Sequence, residues 1–355
     1  MNPVPPLLRP LAITMGDPAG VGPEIIAKAF RDAPLVTRGC FVVGDVAEMR
    51  RAMRSISREA LGLPVACIES AREAATGPPR CLPVLQMQDS PGLVPLGVVS
   101  AQAGRIAAGC VRWAAQAALS GEVAAMVTAP LHKEALALAG PPHAGYPGHT
   151  EMLQALACRF TGSCVDDMPV RMMLANDELR VILVTIHLSL RRAIDAVSLV
   201  SVLQTLQIAH RALAASLGRA PRIGVAGLNP HAGEGGLFGR EELDIIAPAI
   251  ACARQQGIEA SGPHAPDTVF MRARSSAGHG GEFDAVVAMY HDQGLIPVKY
   301  LGIDSGVNVT LGLPLVRTSP DHGTAFDIAG TGQADARSLI AAIAMARQLS
   351  VGAAT

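Results

Sequence analysis

The chain has 355 residues, half of them apolar and only 3% aromatic, with a formal net charge of −1. That balance gives no whole-chain field for gathering nucleic acid or an anionic membrane, so neither is an expected partner and any phosphate binding has to be local. No apolar run of about 18 residues or more is present, so no membrane span is expected. Residues 1–10 carry Arg9 but no apolar stretch with a cleavage site, and the seven cysteines are odd in number with no Cys-x-x-Cys. Reduced thiols and a cytoplasmic location are the expectation.

With so few aromatic residues, Ala, Val, Ile and Leu must build the core, a palette suited to helices packed on parallel strands. In chain order, Leu11–Met15 reads as a short buried strand, followed by a Gly/Pro-rich turn and a helix opening at Pro23–Glu24. Cys40–Val43 is a strand closed by Gly44–Asp45, and Ala71–Gly97 is the least regular stretch, expected to hold surface loops. Ser100 to about Ser120 is an Ala-rich helix, and Val123–Thr128 is a strand running into Ala129–Pro130. Met172–Ala175 and Leu179–Thr185 flank Asn176–Asp177 as a hairpin. One helix is expected over Arg191–Ala215, a strand over Ile223–Gly227 and a helix over Arg240–Gln255. Strands at Phe283–Met289 and Gly306–Leu311 and a closing helix at Ala334–Leu349 complete a mixed α/β pattern.

Polar punctuation gathers at the strand ends, where ligands collect in such folds. Thr14–Ile25 places three glycines between a strand and a helix without matching G-x-G-x-x-G; it is either a ligand-approach loop or a tight turn. His187, His231 and His291 each follow a strand. Three imidazoles suit a divalent ion with an open position, although each taken alone reads more readily as a hydrogen-bonded loop residue. His149-Thr150, Lys299, Asn308 and Arg317 are anion-binding candidates, the alternative being surface cations. Asp321–Gly330 mixes small and polar residues as a nucleotide-wrapping loop does, and ordinary loops do the same.

Together these segments resemble the 4-hydroxythreonine-4-phosphate dehydrogenase family of vitamin B6 biosynthesis. The motifs are I-T-M-G-D-P-A-G-V-G-P-E-I at Ile13–Ile25, T-A-P-L-H-K-E-A at Thr128–Ala135, Y-P-G-H-T-E at Tyr146–Glu151 and L-N-P-H-A-G-E-G-G at Leu228–Gly236. G-P-H-A-P-D-T at Gly262–Thr268, Y-H-D-Q-G-L-I-P-V-K at Tyr290–Lys299 and R-T-S-P-D-H-G-T-A-F-D-I-A-G at Arg317–Gly330 follow in order. The first and last also resemble the wider isocitrate and isopropylmalate dehydrogenase superfamily.

The resemblance implies an α/β, two-lobed isocitrate/isopropylmalate dehydrogenase-like fold, with mixed sheets, helices on both faces and a cleft between lobes. Residues 1–130 and 310–355 would form the first lobe; 131–309 would form the second, carrying metal ligands and dimer contacts. It further implies a homodimer with the active site at the subunit interface, NAD or NADP, and one divalent metal (Zn, Mg or Co). By position, metal ligands fall on His187, His231 and His291, and substrate-binding residues on His149, Thr150, Lys299, Asn308 and Arg317. Cofactor contacts fall on Gly16, Asp17, His322, Gly323, Thr324 and Asp327, and Asp267 or Asp292 would accept a proton.

The implied reaction oxidises 4-phosphooxy-L-threonine to 2-amino-3-oxo-4-phosphooxybutanoate, which decarboxylates to 3-amino-2-oxopropyl phosphate. Paralogues of the family take threonate or erythronate phosphates, or cyclic diols. Gly145-Tyr146-Pro147 and the expected extra loop at Arg159–Pro169 match neither subgroup's pattern. A non-enzymatic phosphate-ligand binding protein and an acyltransferase or lyase on a related scaffold are the other readings.

Overall fold

The computed structural model describes residues 9–57, 62–75, 77, 78, 80–87, 92–276 and 279–351. The chain divides into two compact units: one runs through Met168 and resumes at Leu313–Ser350, and the other is Pro169–Gly312.

The first unit opens with β1 (Leu11–Thr14), α1 (Gly22–Asp32), β2 (Cys40–Gly44), α2 (Val46–Ile56), β3 (Val65–Ile68) and β4 (Leu82–Gln86). It continues with α3 (Ala101–Leu119), β5 (Ala125–Thr128), α4 (Lys133–Leu138) and α5 (His149–Thr161). The second unit holds β6 (Arg171–Ala175), β7 (Arg180–Leu183), α6 (Leu190–Ala196), α7 (Leu199–Leu217) and β8 (Ile223–Ala226). After it come α8 (Ala247–Gln255), β9 (Ala260–His264), α9 (Val269–Ala273), β10 (Ala285–Ala288), α10 (His291–Gly302) and β11 (Val307–Leu311). The chain then returns to the first unit as β12 (Arg317–Pro320) and α11 (Arg337–Val351).

In the first unit the strand order is β3-β4-β2-β1-β5-β12, and every pair is parallel. The chain leaves β1 toward β2 on one side and later lays β5 on the other. The strand order therefore reverses between β1 and β5, where Thr14 faces Thr128. Crevices at such reversals are where α/β sheets take ligands. In the second unit the order is β11-β6-β7-β10-β8-β9, antiparallel across β11-β6-β7 and parallel beyond. The β6–β7 hairpin turns as expected, because Asn176 Oδ1 accepts from the amides of Glu178 and Leu179, both at 2.9 Å.

Helix starts follow local chemistry. Pro23 and Glu24 open α1, Asp45 Oδ1 caps α2 by accepting from Glu48 N at 2.9 Å, and Ser100 Oγ caps α3 by accepting from Ala103 N. The first unit's core contains Phe41, Val111, Met126, Leu136 and Leu153, and Trp113 meets Phe41 edge-on at 5.8 Å. Small residues let α3 and α4 touch: a Cβ on Gly104 would stand 1.9 Å from the Ala135 carbonyl oxygen.

Several expectations are corrected. The segment 131–168 shares the first unit's core through Leu136, Met152 and Leu153, so the division falls at Met168 rather than at residue 130. Ala71–Gly97 holds β4, most of it buried, because an apolar Leu-Pro-Val-Leu run pairs with β2 and β3. The helix expected over Arg191–Ala215 is two helices meeting at 84°. Ser198 starts the second with a capping box, its Oγ accepting from Ser201 N while Ser201 Oγ accepts from Ser198 N. The helix expected from Arg240 begins as a π-helical turn at Glu242–Ile246. Arg159–Pro169 starts as the last turn of α5, which Gly162 ends in a left-handed conformation. Among the described residues no single helix is long and apolar enough to cross a membrane.

Candidate active site

In the second unit three adjacent parallel strands, in the order β7-β10-β8, run into histidine-bearing segments. His187 follows β7, His291 opens α10 directly after β10, and His231 lies in the loop after β8. Backbone and side-chain bonds fasten these strand ends together. Val184 N donates to Ala288 O at 2.9 Å and Thr185 Oγ1 donates to Met289 O at 2.8 Å. Gln293 bridges the other side: its amide nitrogen donates to Gly227 O and its Oε1 accepts from Met289 N, both at 2.7 Å. The result is that the His187 and His291 rings lie 5.7 Å apart, centroid to centroid.

His231 sits in an unusual stretch. His231, Ala232, Gly233, Glu234 and Gly235 are all left-handed, with φ of 52°, 55°, 78°, 43° and 68°. His187 is left-handed too, with φ 49°. For a residue with a Cβ this costs about 1–2 kcal/mol, and such conformations persist only where the surroundings impose them. Here the restraint is Glu242 in the π-helical turn. Its buried carboxylate accepts from Leu228 N and Asn229 N at 2.7 Å and from Asn229 Nδ2 at 3.0 Å. Glu242→Gln replaces one of the two acceptor oxygens with an amide NH2, which leaves part of this donor set facing another donor. A loss of about 2–3 kcal/mol in urea unfolding is expected, the cost of leaving buried donors unmatched. An unchanged midpoint would show that the loop holds itself.

Among the described residues no group of three His, Cys, Asp or Glu side chains is placed to hold an ion. The expected convergence of three imidazoles is therefore present for one pair only. His231 is instead turned to Glu234, with Nδ1 2.7 Å from Oε1, and stands edge-on to Phe238 at 6.2 Å. The donor chemistry nevertheless fits a divalent ion. A carboxylate can only accept, so Glu234 on His231 and Asp292 on His291 (2.6 Å) place the proton on Nδ1 in both rings. In the neutral ring each Nε2 then keeps its lone pair, the arrangement metal-binding histidines adopt.

The remaining candidates of this unit lie on several elements. Asp292, expected as a proton acceptor, is engaged by His291; Asp267 is exposed just before α9. Lys299, expected beside a strand end, lies in the last turn of α10, because the helix that begins at His291 continues through Pro297. Asn308 is half-buried in β11, paired with Leu174.

In the first unit the Thr14–Ile25 loop sits at the strand reversal. Gly16 has φ +74°, and a Cβ there would stand 2.4 Å from Pro130 O. Asp17 is buried, with Oδ1 accepting from Ala19 N at 2.9 Å, and burial raises its carboxyl above the usual range. These two cofactor candidates thus shape the loop from inside. Val21 N donates to Thr324 O at 2.9 Å, and Glu24 accepts from Gly332 N and Ala334 N, so the early and late motifs are locked together. His322, Gly323 and Asp327 are exposed and Thr324 is half-buried. Phe326 stacks on His132 at 4.9 Å, a contact that sequence reading missed because the two residues lie in distant motifs.

Arg317 is buried, and its Nε and Nη2 donate to Thr128 Oγ1 at 3.0 and 2.7 Å. Burial lowers its pKa to about 10, which leaves the guanidinium charged at neutral pH. His149 Nε2 is buried with no hydrogen-bond partner, and burial together with the Arg317 charge holds the imidazole well below its ordinary 6.5. Thr150 follows it in the first turn of α5. A buried guanidinium beside a neutral imidazole suits an anion. Below about 6.5 the unfolded chain binds a proton on His149 that the fold refuses, so stability falls as pH drops. His149→Gln should flatten the decline of unfolding free energy between pH 6.5 and 5.5, by up to about 1.4 kcal/mol per unit. An unaltered slope would show that His149 is protonated in the fold.

The family model described as pyridoxal phosphate biosynthetic protein PdxA matches residues 37–346. The 4-hydroxythreonine-4-phosphate dehydrogenase of Beijerinckia indica subsp. indica is 50% identical over 343 residues, covering 97% of this chain and 96% of the relative. The D-threonate 4-phosphate dehydrogenase of Salmonella typhimurium is 45% identical, covering 96% of this chain and 99% of its own length. A crystal structure of 4-hydroxythreonine-4-phosphate dehydrogenase from Klebsiella pneumoniae superposes with a TM-score of 0.83 at 44% identity, covering 96% of this chain and 99% of that one.

Proposed function

This chain belongs to the pyridoxal phosphate biosynthetic protein PdxA family, and from that premise we propose that it oxidises 4-phosphooxy-L-threonine with NAD or NADP. The product would be 2-amino-3-oxo-4-phosphooxybutanoate, a β-keto acid that loses CO2 to give 3-amino-2-oxopropyl phosphate. At the coarser level the chain is a dehydrogenase of phosphorylated hydroxy acids. The observation that carries the substrate class is the buried Arg317 guanidinium held on Thr128 beside neutral His149.

In this reading His149, Thr150, Lys299, Asn308 and Arg317 bind the substrate's anionic groups and fix which carbon is presented for oxidation. A divalent ion (zinc, magnesium or cobalt) on His187, His231 and His291 would supply Lewis acidity that lowers the pKa of the substrate hydroxyl. Gly16, Asp17, His322, Gly323, Thr324 and Asp327 would shape or line the place of NAD or NADP, which would supply the hydride acceptor. Because Asp292 is held by His291, Asp267 is our assignment for the group that takes the hydroxyl proton.

A second copy completes the metal site in this proposal. One chain brings together only two of the three rings, and exposed Leu188, Leu190, Ile194, Leu237 and Phe238 lie in the segments that carry His187 and His231. An apolar surface of that kind marks an interface with another chain. The cytoplasm is the proposed location.

The test is a steady-state screen following reduced nicotinamide, with 4-phosphooxy-L-threonine, D-threonate 4-phosphate and erythronate phosphate, each with NAD and NADP. The highest kcat/KM is expected with 4-phosphooxy-L-threonine. Preference for D-threonate 4-phosphate would establish the second reading, which the Salmonella relative's name favours. No reduced nicotinamide with any substrate would remove the dehydrogenase assignment.

A further inference from the structure

We propose that Glu234 is a positioning residue that fixes the tautomer and direction of the His231 imidazole; this rests on the metal reading of His231 given above. The left-handed run His231–Gly235 is what makes the contact possible: it coils the chain so that two residues three apart meet, with Nδ1 and Oε1 at 2.7 Å. Both side chains are more than a third exposed, at 60% and 50%, so the pair contributes little to stability. A strained turn whose side-chain product is nearly worthless for folding is explained by what it does to the ring. The carboxylate accepts from Nδ1–H, which in the neutral imidazole leaves Nε2 with the lone pair, directed away from Glu234. Glu242 holds the backbone of the turn and Glu234 holds the ring, so His231 is ready as a ligand before any ion arrives. The order of ligand preparation is therefore carboxylate first and cation second.

Two measurements on the full-length protein test this. In metal-free protein with 15N-labelled histidine, with the His231 signals assigned from His231→Ala, the ring should be the Nδ1–H tautomer in the wild type. In Glu234→Ala it should lose that bias, and in Glu234→Gln, whose amide oxygen still accepts, it should keep it. Titration with Co2+ read by visible absorption should then show affinity weakened by about 10- to 100-fold in Glu234→Ala and largely recovered in Glu234→Gln. A wild-type ring already in the Nε2–H form, or equal Co2+ affinity in wild type and Glu234→Ala, overturns the proposal while leaving the metal reading in place. A wild-type protein that binds no Co2+ while its ring is Nδ1–H removes the metal reading itself, and the role of Glu234 with it.

Discussion

His231→Ala is expected to lower kcat by about 10³-fold or more while the unfolding midpoint stays near that of the wild type. The magnitude follows from the several kcal/mol that a Lewis-acidic ion contributes to a developing oxyanion, with about 1.4 kcal/mol for each tenfold of rate. The fold should tolerate the change because the ring is exposed and its main polar contact is with exposed Glu234. The loop itself is anchored through Glu242, and that anchor does not involve the ring. Activity and circular dichroism on the same preparation decide it. Full turnover by the variant in the presence of a chelator would end the metal mechanism.

Arg317→Met should reduce kcat/KM by about 10²- to 10⁴-fold, with most of the effect in KM. Two charge-assisted hydrogen bonds to a substrate anion, at about 1.5–3 kcal/mol each, set that range. Arg317→Lys should recover only part of it, since an ammonium keeps the charge but lacks the fork that matches a planar or tetrahedral anion. Thr128, which accepts from two nitrogens of the guanidinium, holds the fork in one orientation. Steady-state kinetics of both variants, with thermal unfolding as control, make the check. A kcat/KM for Arg317→Met within tenfold of the wild type would place the substrate's anionic group elsewhere.

Much of this was legible in the chain itself. Alternating apolar strands and amphipathic helices specified an α/β protein, since the two periodicities leave few ways to bury their apolar faces. The glycine and proline punctuation marked strand ends, and the histidines stood just past them. Local chemistry was equally readable where one residue serves its neighbours, as in the Asn176 turn and the Asp45 and Ser100 caps. The family resemblance rested on the same local segments.

What the sequence did not reveal depends on contacts between distant residues. β10 inserts between β7 and β8, so the histidines stand in the spatial order His187, His291, His231 rather than in chain order. Periodicity carries no information about which strand pairs with which. The left-handed turn at His231 exists because Glu242, in a π-helical turn that no pattern announces, satisfies the amides at the start of the loop. Phe326 on His132, Arg317 on Thr128 and the 131–168 segment in the first unit's core were likewise decided only on folding. Local sequence sets what each element can be; the pairing of buried polar groups across the sheet sets where each one goes.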